Sequence, residues 1–286
     1  MLRMHLRTLI KPLKGDLLFG GLVLKTSSTR SVFMAILILC GTAQAAVPKK
    51  APSAVPSMVT PSSARATSAK LQSTKDALQL PADNRLAALL AQGPQGYRNL
   101  NHIMFDSQGA MDLRWRAVNA VAQIGGAESK PELEKALKSR DWFMRNAGLL
   151  SMANIDRKSG VKWARQLLSD PAMVVRAAAV ATLLDLKDQD STTLLWKKLY
   201  ASENFKNHES LFVRRRIVEA LAALETSGRE AKFVALLNDK DTTLHPVAIH
   251  ALERLTQQTL GRPTDSVQVT REQWQNWWKT QPHTLL

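Results

Sequence analysis

The stretch DPAMVVRAAAVATLL, residues 170–184, decides how this chain folds. Counting from Arg176, apolar residues recur three, four, seven and ten places on, at Ala179, Val180, Leu183 and Leu186. That spacing lines one face of an α-helix. The same face returns four more times. Arg114 leads Ala117, Val118, Val121 and Ile124, and Arg145 leads Gly148, Leu149, Met152 and Ile155. Arg214 leads Ile217, Val218, Leu221 and Leu224, while His245 replaces Arg ahead of Ala248, Ile249, Leu252 and Leu255. Successive starts are 31, 31, 38 and 31 residues apart. A period of this size predicts an all-α solenoid of about five helix pairs, in which each pair needs a neighbour on either side to hide its faces.

Shorter partner helices are predicted between the Arg-led ones. One opens at Pro131, with proline in the first turn, and another runs from Gly160 to Leu168 and stops before Asp170-Pro171. Ser191 to Tyr200 and Arg229 to Leu237 complete the set. The seven extra residues ahead of Arg214 fall in the polar stretch Ala201 to Ser210, which is expected to form a longer loop. Upstream, Leu86, Leu89 and Leu90 give a helix over Asp83 to Gln92, with Asp83 or Asn84 as N-cap and Gly93-Pro94 as stop, and Tyr97 to Phe105 continues an atypical first repeat.

Composition fits closely packed helices, with 6% aromatic residues and only 13 glycines in 286 residues. The formal net charge of +15 is unevenly spread. Residues 1–46 hold six Lys/Arg against one acid, residues 47–76 hold five against one, and the rest hold 28 against 22. Most of the basic excess therefore lies outside the repeats, which weakens a nucleic-acid reading.

The amino terminus reads as a targeting segment, residues 1–46. Arg3, Arg7, Lys11, Lys14, Lys25 and Arg30 form a basic region, Val32 to Gly41 an apolar stretch, and Ala43-Gln44-Ala45 a small-residue cleavage site. Ten apolar residues fall short of the roughly 20 that span a bilayer. The basic region is long, so either translation begins further downstream or the signal stays uncleaved and tethers the protein. Cys40 is the sole cysteine, and cleavage after Ala45 leaves a thiol-free chain, as suits an oxidising compartment. Residues 47–76, rich in Ala, Pro, Ser and Lys, are predicted to be a disordered tether, and residues 77–286 the solenoid.

The pattern D-x(1-5)-V-R-x-A-A-x-x-A-L, fullest in Asp170 to Leu183 and partial in Asp141 to Met152, resembles the HEAT-repeat superfamily, including the HEAT-like repeats common in bacterial proteins. The resemblance covers roughly Asp83 to the C-terminus. It implies that the Arg-led helices are the second of each pair and line a concave face. It further implies that Arg114, Arg145, Arg176 and Arg214 form a structural ladder with turn residues such as Asp141 and Asp170, a contact the last repeat lacks because of His245. The tail from Leu252 to Pro282 looks like the closing element of such arrays, with Trp274, Trp277 and Trp278 on a capping helix.

Chemistry-bearing motifs are scarce. No Gly-rich phosphate loop, His-Glu-x-x-His, cysteine cluster or Gly-x-Ser-x-Gly occurs. His245 and His250, five apart, are poorly placed to share a metal, and Asp185, Asp188 and Asp190 lack the Gly and Glu of a calcium loop, so a solvated turn is expected there. No cofactor and no metal are expected. Outward positions of the Arg-led helices supply the candidate contacts with a protein partner, namely Trp115, Arg116, Asn119, Asn146, Arg215, Arg216, His250 and Arg254. The expectation is a non-catalytic interaction scaffold in the periplasm or cell envelope, its membrane contact limited to an uncleaved signal. The alternative is a nucleic-acid binder built like the HEAT-like DNA-alkylation repair enzymes. An enzyme of the bilin-lyase kind is disfavoured because the chain cleaved after Ala45 lacks cysteine and no catalytic constellation replaces it.

Overall fold

Each Arg-led segment is a helix whose predicted face is inward at the third, fourth and seventh places. The tenth is only partly buried in four of the five, and Leu186 falls just past its helix. In the computed structural model, which describes residues 61–281, these are α4 (Met111–Gly125), α6 (Trp142–Ile155), α8 (Met173–Asp185), α10 (Phe212–Leu224) and α12 (His245–Thr256). Ala117, Val118, Val121, Leu149, Met152, Ala179, Leu183, Val218, Leu221, Ala248 and Leu252 are fully buried. The partners are α3 (Gly93–Phe105), α5 (Lys130–Leu137), α7 (Arg157–Leu167), α9 (Thr192–Leu199) and α11 (Glu230–Leu236). The chain is thus an all-α helical repeat solenoid with five pairs among the described residues.

Successive Arg-led helices pack directly on one another, α4 on α6, α6 on α8, α8 on α10 and α10 on α12. Partner helices pack against Arg-led ones, as α7 does against both α6 and α8, and approach each other far less. Missing side chains allow the closest approaches. A Cβ on Gly160 would lie 2.6 Å from Ala153 Cα, and one on Gly148 would lie 3.1 Å from Leu137 Cγ. Gly148 therefore holds an apolar repeat position without a side chain because α5 occupies that space.

Both ends are closed. At the C-terminus α13 (Val267–Thr280) packs on α11 and α12. Trp274 is fully buried, and Trp277 meets it edge-on at 5.2 Å. Trp277 and Trp278 pack against the core as partly buried residues, and Ser266 caps the helix through the Val269 N–H. At the N-terminus the expected tether is corrected. Residues 61–79 form α1 (Pro61–Gln79), which packs on α2 (Ala82–Leu90), α3 and α4. Low hydrophobicity hid it, but Leu71, Thr74, Ala77 and Leu78 share one face and Ala, Lys and Gln favour helix. Thr74, fully buried, donates to Gln92 Oε1 at 2.6 Å and accepts from Asn99 Nδ2 at 2.9 Å. The targeting segment and the tether before residue 61 lie outside the described residues.

Three smaller expectations also change. Asp83 falls inside the first turn of α2, whose N-cap is Pro81. Gly93-Pro94 ends one helix and begins the next, because Gly93 turns at φ +58° and Pro94 enters the first turn of α3. The insert Ala201 to Ser210 folds into a small antiparallel hairpin, β1 (Phe205–Lys206) on β2 (Glu209–Ser210), turned by Asn207 and His208, both at positive φ.

Candidate interaction face and the ladder beneath it

The four repeat arginines are held by two sets of contacts each. One set closes the turn before the helix: Arg114 donates to Met104 O, Arg145 to Ser139 O and Arg140 O, Arg176 to Asp170 O, and Arg214 to Leu199 O. The other reaches into the next repeat. Arg114 pairs with Asp141 at 2.8 Å, Arg145 with Asp170 at 2.6 Å, and Arg214 with Asp239 at 2.6 Å. Arg176 meets the insert instead, donating to Asn204 Oδ1 at 2.9 Å and to Glu203 O. His245 has its Nε2 2.9 Å from Asp239 O, taking the turn-closing role alone.

Replacing aspartate by asparagine has an electrostatic consequence. The hydrogen-bonded Asp170 carboxylate raises the pKa of Arg145. At Arg176 burial lowers the pKa, partly offset by the charges of Glu203 and Asp170. At Asp239 burial opposes ionisation, but hydrogen bonds from Arg214 and the Asp241 N–H, with the Arg214 charge, still hold it below the usual carboxylate value. Aromatic rings cover the ladder, Phe143 lying 4.9 Å from the Arg114 guanidinium carbon and Phe205 4.6 Å from that of Arg214.

The candidate contact residues divide into two groups. Arg116, Arg254 and Asn146 are committed to the array. Arg116 donates to Leu78 O at 3.0 Å, and Arg254 to Ala222 O at 2.7 Å and Glu225 O at 2.6 Å, so the two long side chains satisfy carbonyls at the ends of α1 and α10. Asn146 is buried between helices. Asn119 accepts from Ser151 Oγ at 3.1 Å across α4 and α6, and Trp115 is partly buried against the core. The roles of Arg116 and Arg254 were invisible in the sequence because their acceptors are backbone atoms of distant helices.

Arg215, Arg216 and His250 remain on the surface. Both arginines are about half exposed, and each meets one oxygen of Glu219 at 3.0 Å. His250, 75% exposed in its side chain, lies 3.9 Å from Glu253. Phe212, 43% exposed, opens the same helix as the two arginines. Asp188 corrects the expectation of a solvated turn, since it is buried and paired with Arg165 at 2.7 Å. Among the described residues no group of three or more His, Cys, Asp or Glu could hold a metal ion, and no helix is long and apolar enough to cross a membrane.

Ladder, helix pairs and end caps define a helical repeat protein. The family model for the PBS lyase HEAT-like repeat matches residues 113–139, which span α4 from the first ladder arginine through α5. That match supports assigning the chain to the HEAT-repeat superfamily. HEAT-like repeats are helical modules often used for protein interactions and are generally non-catalytic. No curated protein matches the chain.

Proposed function

We propose that this protein is a non-catalytic interaction scaffold of the bacterial cell envelope, docking a protein partner on the exposed side of its Arg-led helices. The observation that carries this reading is the contrast within that row. Repeat arginines are sunk into the ladder, whereas Arg215 and Arg216 stand outside it, tied only to the partly buried Glu219. Surface pairs of that kind contribute about 0–1 kcal/mol to stability, so folding gives little reason to keep two such residues side by side. With His250 on the neighbouring helix and Phe212 at the rim, the face suits an acidic segment carrying an apolar anchor.

Replacing Arg215 and Arg216 together by Glu is expected to leave helical circular dichroism unchanged and to abolish recovery of a cross-linked partner from envelope fractions. Undiminished recovery overturns this siting. Binding of nucleic acid by the unaltered chain, with affinity falling steeply as salt rises, would favour the alternative class.

Export is part of the proposal and rests on the basic, apolar and small-residue sequence of residues 1–46. Fractionation should place the chain in the periplasm or on the membrane. Full-length protein recovered in the cytoplasm alone would sink the envelope assignment.

A further inference from the structure

A cavity of about 450 Å³ opens beside α3 and the junction of α4 with α5, away from the residues of the interaction face. Leu89, Leu90, Pro94 and Ile124 supply apolar wall, and Leu90 is 54% exposed. Every fully charged group lining it is acidic, namely Glu128 and Glu132. Neither enters an ion pair among the described residues. The nearest lysines in sequence are engaged elsewhere, Lys130 with Asp156 and Lys135 over the Phe105 ring at 4.0 Å.

Two further features add to the negative potential. The cavity includes Ile124 and Gly125, at the C-terminal end of α4, where the helix dipole and the last carbonyls favour a cation. A Cβ on Gly125 would lie 2.8 Å from the Tyr97 hydroxyl, so the phenol sits directly against that end. Burial raises the pKa of Tyr97, and the charges of Glu132 and Glu128 raise it further. Glu132 Oε2 is buried with no hydrogen-bond partner among the described residues. Buried carboxylate oxygens nearly always have a donor. Placement in the first turn of α5 accounts for the charge of Glu132 but leaves that oxygen unmet.

We propose that this cavity binds a primary ammonium on an unbranched alkyl stem, the chemistry shared by a lysine side chain and a free alkylamine. The stem lies along Leu89, Leu90 and Ile124, and the ammonium donates to Glu132 and Glu128. The cavity shares no residue with the face around Arg215, so the two readings stand or fall separately.

The test is titration of the full chain with n-hexylamine and with N-acetyl-lysine amide, following the amide resonances of Leu90, Tyr97 and Glu132. At least one amine should shift them, hexylamine alone marking a free amine as the ligand and the lysine amide a side chain. Glu132→Gln should weaken binding about tenfold, as loss of a charge-assisted hydrogen bond requires. Glu128→Gln, at an exposed position, should weaken it about threefold without touching the fold. 1-Hexanol, equal in stem but uncharged, should bind at least tenfold more weakly than hexylamine. Equal binding of the alcohol, unchanged affinity in the Glu128 variant, or still resonances with both amines would overturn the proposal.

Discussion

Arg214→Ala should lower the unfolding free energy by about 3–5 kcal/mol, the cost of stripping one partner from a buried ion pair. Arg214 is 2% exposed in its side chain and Asp239 13%, so the carboxylate left behind faces a poorly hydrated site. The same guanidinium also serves Leu199 O and Ser210 Oγ and lies against Phe205, which links α9, the hairpin and the next repeat through one residue. The loss should depend on pH. Asp239 has its pKa depressed in the folded state, so its contribution is present above the unfolded carboxylate value and disappears as pH falls through the lower folded value. Urea unfolding of the two proteins should therefore differ most near neutrality and converge in acid. A difference below about 1 kcal/mol at pH 7, or one indifferent to acid, would show that the Arg214–Asp239 contact carries no stability. Arg214→Lys, which keeps the charge but loses the planar fork, should fall between the two.

What could be read in the sequence follows a physical division. Val118, Leu149, Val180, Val218 and Ile249 were legible because burial on one side of a helix imposes a 3.6-residue period on side-chain type. The ladder was partly legible. Arg145 and Arg214 both meet an aspartate 25 residues on, but the partner of Arg176 is Asn204, 28 residues on and inside the insert. No repeat pattern announces a substitute that arrives inside an insertion. Helix α1 escapes a compositional reading for another reason: its few buried apolar residues, Ala77 and Leu78, are joined by the polar pair Thr74–Asn99, while composition registers only a shortage of apolar residues. The roles of Arg116 and Arg254 depend on carbonyls 38 and 32 residues away. Side-chain identity does not encode which backbone atom a long flexible cation will find, and for that reason two of the eight candidate contacts proved to be helix-end ties.

Leu183→Ala probes the repeat itself. The side chain is fully buried in α8, a helix packed on α6, α7 and α10 at once. Truncation opens a cavity in a helix held on three sides, where the neighbouring helices have little freedom to close it. The expected cost is about 2–5 kcal/mol, transfer and cavity terms together. Because each pair rests on its neighbours, the damage should not stay local. A single helical unfolding transition should move to lower denaturant, with no separate early phase for α8. Asn154→Ala, at an exposed position in the last turn of α6, serves as the comparison and should change stability by no more than about 0.5 kcal/mol. If Leu183→Ala behaves like Asn154→Ala, the register that puts position seven of each repeat in the core is wrong. If it instead melts α8 alone while the rest of the array holds, the register stands and the coupling between repeats is weaker than the continuous row from α4 to α12 implies.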